Sequence, residues 1–306
     1  TRDYSGPPRP ARNWGNWGKP MVPSVWAAER DSGAKKVLGR NFPAGQSQDK
    51  DLRDAIALLM SHQNIAPFVA TRMIQHLVKS NPTPAYVSRV AAKFRDNGAG
   101  VAGDMKAVVK AVLLDAEARA GDDPATARTD DGKLREPFLY SMAVWRGLGC
   151  ERIPRNTDWN WVPLPANQNQ FAAESVFSFY APTDRAPGSN LLAPEQRLIN
   201  AQELTFRLNL VSSMKRWEPS SNSHSLKFLD DAGCEASQVV DAYRKSPRNF
   251  NDWMSARFFR GAMPPTLRGN IEQLIREPQW NTSDPVDGPL RMVDYALAGP
   301  YFGVIK

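Results

Sequence analysis

From Asp51 onward the apolar positions recur at steps of three and four; before Asp51 they do not. In DLRDAIALLMSH, Leu52, Ile56, Leu59 and Met60 share one face of a helix. Gln63 and Asn64 interrupt the period. Pro67 then sits in the first turn of a second predicted helix, APFVATRMIQHLVKS, where its missing N–H costs nothing. NPTPAYVSRVAAKFRDNG predicts a third, with proline at its start and Gly98 at its end. GDMKAVVKAVLLDAEAR predicts a fourth, with Asp104 as its cap.

After the polar loop AGDDPATARTDDG, KLREPFLYSMAVWRGLG predicts a fifth helix, with Pro137 in its first turns and Gly147 or Gly149 near its end. ERIPRNTDWNWVPLPANQNQ is irregular. SVFSFYAP is short and apolar, and a turn-rich loop follows it to Ala193. PEQRLINAQELTFRLNLVSSMKRW predicts one long helix from Pro194 to about Trp217. Shorter helices complete the chain: ASQVVDAYRKS, NDWMSARFFRG, PPTLRGNIEQLIRE and GPLRMVDYALAG.

No alternating β-branched run of useful length interrupts this series, and no repeat has a solenoid period. The expected fold class is all-α: an irregular multi-helix domain with long proline-rich loops and an extended N-terminal arm. Residues 1–48 are the aromatic and proline-rich arm, packing through Trp14, Trp17 and Trp26. Residues 49–306 are a single helical domain, with 150–195 the one place where it could subdivide.

Composition changes this picture little. The chain has 306 residues, 42% hydrophobic and 23% charged, enough to bury a sizeable core. Its 25 prolines predict sharp connections between helices, and its nine tryptophans are first read as core. No apolar run approaches a membrane span. A net charge of +7 invites an anionic partner. Yet Lys and Arg alternate with Asp and Glu, as in RDNGAGVAGDMKAVVK, and no run of five basic residues occurs, so nucleic acid is not expected. Cys150 and Cys234 each follow a glycine at the edge of a helical pattern; they are either free buried thiols or one bridge. The chain opens at TRDYSGPP, without Met or a signal peptide, and is read as a processed or partial product whose targeting segment lies upstream.

Candidate chemistry is sparse. His62, His76 and His224 lack metal-ligand spacing, and no metal or cofactor is expected. No serine stands in a nucleophile elbow, and Gly-rich phosphate loops are missing. Two carboxylates at predicted helix starts, Glu136 in REP and Glu195 in APEQ, are the candidate acid–base pair for a glycosidic bond. The structural explanation is that acids in first turns complement the helix dipole, with Arg135 pairing Glu195 as a buried brace. The insert NTDWNWVPLPANQNQ offers Trp159 and Trp161 with Gln168 and neighbouring amides as a candidate sugar surface, with Arg135 as a further candidate ligand-binding residue, because pyranose rings present apolar faces and hydroxyl rims. Its plain alternative is a loop pinned by two core tryptophans.

Several blocks together carry a resemblance. GAKKVLGRNFPAG, HQNIAPFVATRMIQHLVKSNPTPAYVSRVAAKF, GDMKAVVKAVLLDAEAR, KLREP, SVFSFYAP and LLAPEQ occur in this order, and DYALAGPYFGVIK closes the chain. This series resembles the bacterial family called domain of unknown function 1800, from about residue 33 to 306, as if the chain were the C-terminal two-thirds of a member. It departs at Arg30-Asp31, where His-Asp is usual; at Asn167-Gln168, where Gly-Gln is usual; at Glu174, where proline is usual; and at Gly299, where serine is usual. The resemblance implies an exported, mostly helical bacterial protein and supplies no catalytic residues. On that footing the expected function is an interaction or assembly component of a cell-envelope or extracellular complex, located in the periplasm or outside the cell. Its partner is a protein, either the absent N-terminal portion or an exported hydrolase-like protein. The alternative is a carbohydrate-binding or glycoside-cleaving protein.

Overall fold

Leu38 and Gly39, both with positive φ (47° and 83°), make the two-residue turn of a β-hairpin. Its strands are β1 (Lys35–Val37) and β2 (Arg40–Phe42), paired antiparallel with Val37 opposite Arg40. The computed structural model describes residues 30–122, 131–153, 168, 173, 178–218, 220, 222–278 and 284–305. The chain divides into two compact units, residues 1–65 and 66–306. Trp14, Trp17 and Trp26 of the expected arm lie outside the described residues.

In the first unit the hairpin precedes α1 (Gln48–Met60), whose N-cap Ser47 accepts from the Lys50 N–H. Asp51 in its first turn accepts from Arg30 at 2.6 Å and Lys35 at 3.3 Å, tying the hairpin to the helix. The helical period is as expected, but its apolar face is open: Leu52, Ile56, Leu59 and Met60 are 42–52% exposed, and no residue of α1 is buried.

The second unit begins with α2 (Ile65–Leu77), α3 (Pro84–Arg95), α4 (Met105–Leu114) and the short α5 (Ala116–Arg119). Thr83 caps α3 and Asp104 caps α4, as its place in the sequence predicts. α3 packs on α4, and the buried Tyr86 hydroxyl donates to the Val112 carbonyl at 2.6 Å. A two-residue strand, β3 (Lys133–Leu134), leads into α6 (Pro137–Gly147).

The long helix expected from Pro194 to about Trp217 is three pieces. A 3₁₀ turn spans Pro194–Leu198, and α7 (Ala201–Asn209) starts afresh where the Asn200 side chain accepts from the Glu203 N–H. A second 3₁₀ turn, Ser212–Met214, gives way to β4 (Arg216–Glu218), paired antiparallel with β5 (Ser223–Ser225). The apolar period alone does not register the new cap.

The rest is α8 (Lys227–Asp231), α9 (Ala236–Lys245), α10 (Pro247–Phe258), α11 (Pro265–Ile275), α12 (Asp287–Ala298), α13 (Pro300–Gly303) and β6 (Val304–Ile305). α12 is the central rod, packing against α7, α9, α11 and α13. Its Leu290, Met292, Val293, Ala296 and Leu297 are buried in one core shared with α6, α9 and α10. Phe302 closes that core, edge-on to Tyr140 at 5.3 Å and Phe258 at 5.9 Å. Cys150 and Cys234 form a disulfide. The fold is predominantly helical, and among the described residues its strands form only two-stranded sheets. No described helix is long and apolar enough to cross a membrane.

Candidate functional site

β3 pairs antiparallel with β6 at the far end of the sequence, Lys133 opposite Ile305, and the Arg135 N–H donates to the Gly303 carbonyl at 2.7 Å. This pairing fixes the start of α6 and turns the Lys133 side chain inward, where the residue is only 5% exposed. Its ammonium stands 3.5 Å from Glu136 Oε1, 3.4 Å from Glu195 Oε1 and 3.3 Å from the His76 carbonyl. One buried cation therefore joins the two carboxylates that the sequence singles out.

Glu136 is the N-cap residue of α6, yet its side chain does not cap the helix. Gln168 does so instead, accepting from the Phe138 N–H at 2.8 Å. The other end of the same amide donates to Glu136 Oε2 at 2.6 Å, and the Tyr180 hydroxyl donates to Glu136 Oε1 at 2.6 Å. Burial, helped by the Glu136 carboxylate, pushes the Tyr180 phenol above its ordinary range, so it stays a donor.

Glu195 is the second residue of the Pro194–Leu198 turn and is 1% exposed. Its Oε1 faces Lys133, while no donor among the described residues reaches Oε2. Glu195 also forms part of the wall of a cleft of about 290 Å³, with Tyr180, Pro182, Pro194 and, from α2, Phe68 and Arg72. Arg72 lies over the Phe68 ring, 5.5 Å from its centroid, and donates to Gln75 at 2.7 Å.

Arg135 is not the brace. Its guanidinium stacks 4.3 Å from the Phe302 centroid and donates from Nε to the Phe302 carbonyl at 3.1 Å. Burial pulls it down to about 10, so it stays charged at neutral pH. The brace to Glu195 comes from Lys133, two residues earlier. Arg135 lies beyond the two-residue strand, and its contacts are with Phe302 rather than with the carboxylates.

Other charged groups are spoken for. Arg207 pairs Glu203 at 2.7 Å and lies over the Tyr140 ring. Lys79 pairs Asp131 and Glu117 in a second buried network. His224 meets Asp284 at 2.5 Å. No group of three His, Cys, Asp or Glu among the described residues is placed to hold a metal ion. Trp159 and Trp161, the expected sugar platform, lie outside the described residues. Lys133 and Tyr180 are the members of the site that sequence reasoning missed. The only signal was their place in KLREP and SVFSFYAP, the blocks that carry the resemblance.

These features define a helical, disulfide-linked domain with a buried Lys–Glu–Glu network beside a small cleft. The chain belongs to the family described as protein of unknown function (DUF1800), whose model matches residues 14–304. The match covers nearly the whole chain, so the narrower extent read from the blocks, and the equation of the chain with a member's C-terminal two-thirds, are corrected. No curated protein and no solved structure matches it.

Proposed function

We propose that this chain is an exported bacterial protein that works by binding other polypeptide in a cell-envelope or extracellular assembly. The observation that carries this reading is α1. An amphipathic helix ordinarily turns its apolar stripe inward, and here Leu52, Ile56, Leu59 and Met60 are all exposed on that stripe. Contiguous apolar surface of this kind marks an interaction site. The Cys150–Cys234 disulfide supports export, because such bonds persist in oxidising compartments. Glu136 and Glu195 are engaged with Lys133, Gln168 and Tyr180, which favours a bracing role over proton transfer.

The test is a pair of charge insertions, Ile56→Glu and Leu59→Glu, analysed by sedimentation velocity after purification from the native source. The wild-type chain is expected to sediment in an assembly and the variants as the single chain, with unchanged melting temperatures. Assemblies that persist in both variants would contradict the reading.

A further inference from the structure

Among the described residues, the accessible ion of the cleft wall is the Arg72 guanidinium rather than the Glu195 carboxylate. Glu195 Oε2 is sealed from solvent, and Oε1 faces Lys133. Arg72, on the part of the wall that α2 supplies, is half-buried. Its Nη1 donates to Gln75 at 2.7 Å, and the group lies over the Phe68 ring. A guanidinium carries more N–H groups than that contact uses. No carboxylate among the described residues pairs with Arg72, and its remaining nitrogens are not sealed there as Glu195 Oε2 is. A cation drawn part-way out of water is ordinarily matched by an opposite charge.

Ser178 lines the same cleft with its backbone at φ 74°, a region that a serine rarely adopts. Strain of this kind persists where the surroundings hold it, and it gathers at binding sites. The Ser178 hydroxyl has no hydrogen-bond partner among the described residues, so the cleft holds a second unused donor. The Tyr180 hydroxyl is already committed to Glu136.

Phe68, Pro182 and Pro194 give the cleft apolar sides, and its volume of about 290 Å³ is at the small end of ligand sites. The Arg fork matches a carboxylate or a phosphate. The network beside it holds two carboxylates, Glu136 and Glu195, against the one Lys133 ammonium. A phosphate dianion meets that excess with twice the charge of a carboxylate, so the single charge is favoured. An ammonium ion would face Arg72 as a like charge, and a neutral compound would leave Arg72 unmatched.

We propose that the cleft binds a small organic monocarboxylate, its oxygens accepting from Arg72 and Ser178 and its apolar body against Phe68, Pro182 and Pro194. The proposal does not rest on the reading of α1.

The experiment compares two probes of the same shape, hydrocinnamate and its neutral amide hydrocinnamamide, by isothermal titration calorimetry on the purified chain, with inorganic phosphate as a third. The carboxylate is expected to bind at least about tenfold more tightly than either, as a charge-assisted bidentate pair requires. Arg72→Gln is expected to erase its preference over the amide. Phe68→Ala, at a residue 55% exposed and so harmless to the fold, is expected to weaken both phenyl probes. Should Arg72→Gln fail to fold, the wild-type preference and the Phe68→Ala loss decide alone. Equal affinity for carboxylate and amide, a preference that survives in Arg72→Gln, tighter binding of phosphate, or no binding of hydrocinnamate at about 10 mM overturns the proposal.

Discussion

Cys150 and Cys234 occupy equivalent places at the ends of two helices. Leu148 is the C-cap of α6 and Ala232 that of α8; a glycine with positive φ follows each, Gly149 at 71° and Gly233 at 69°. The Cys150 N–H reaches back to the Trp145 carbonyl and the Cys234 N–H to the Leu229 carbonyl, at 3.0 and 2.9 Å. Both ends are therefore Schellman motifs, and the disulfide joins the same position of each. The cap carbonyls are shared across the joint, Leu148 accepting from the Glu235 N–H and Ala232 from the Arg152 N–H.

The bridge closes a loop across 84 positions, for which chain entropy gives roughly 3–5 kcal/mol. The double variant Cys150→Ser/Cys234→Ser should lose about that much in urea unfolding. Adding reductant should then change the variant little and the wild type greatly. Equal stability of the two proteins without reductant would refute the structural role of the bridge.

Gly149 makes a sharper local test. A Cβ there would suffer the left-handed backbone and come within 2.7 Å of Glu235 Oε2. Gly149→Ala should cost about 1–2 kcal/mol. Gly269, inside α11 with open space around it, should do the reverse: Gly269→Ala should stabilise by about 0.5–1 kcal/mol. Thermal unfolding of both single variants checks the opposite signs.

Lys133→Met leaves two buried carboxylates facing each other without a cation. A loss of about 3–5 kcal/mol is expected, the usual result of breaking a buried pair from one side. Glu195→Gln on top of it should restore part of the loss, because the second charge is then gone. A double-mutant cycle reads this coupling directly. Additive single losses would mean that Lys133 and Glu195 do not interact.

Asp294 sets a pH dependence. Burial pushes its carboxyl up to about 7, against the N–H groups of Val211 and Ser212 that donate to it at 2.7 and 2.8 Å. A carboxyl raised in the folded state contributes stability that is complete below the unfolded value of about 3.9 and lost as pH rises through about 7. Wild-type stability should thus receive a falling contribution across that window, and Asp294→Asn should flatten it. Parallel pH profiles for the two proteins would exclude this assignment.

The helices were legible where period and punctuation agree. A starting proline and Asp104 announce α3 and α4; the structure caps α4 with Asp104 as expected and α3 with Thr83. Three features were hidden for physical reasons. Asn200 restarts α7 within an unbroken apolar period, so three pieces read as one helix. β3 is two residues long and its partner β6 lies at the opposite end of the described chain, so neither strand carries a pattern. Lys133 reads as a solvated lysine because its burial depends on that distant pairing. Glu136, Gln168 and Glu195 were visible as polar residues at predicted helix starts and in the amide-rich insert. What joins them is not visible, because Arg135 is as basic as Lys133 and only the tertiary contacts, Lys133 to the carboxylates and Arg135 to Phe302, distinguish them. The two Gly-Cys pairs left bridging open, since two helix ends must first be brought together in space.

Native mass spectrometry of the chain purified from its own source, without reductant, tests the central claim most directly. The account predicts a stoichiometric assembly containing this chain with its Cys150–Cys234 bridge intact, and release of the single chain when Ile56→Glu is introduced. A lone chain at high concentration, with Leu52, Ile56, Leu59 and Met60 covered by nothing, would contradict it.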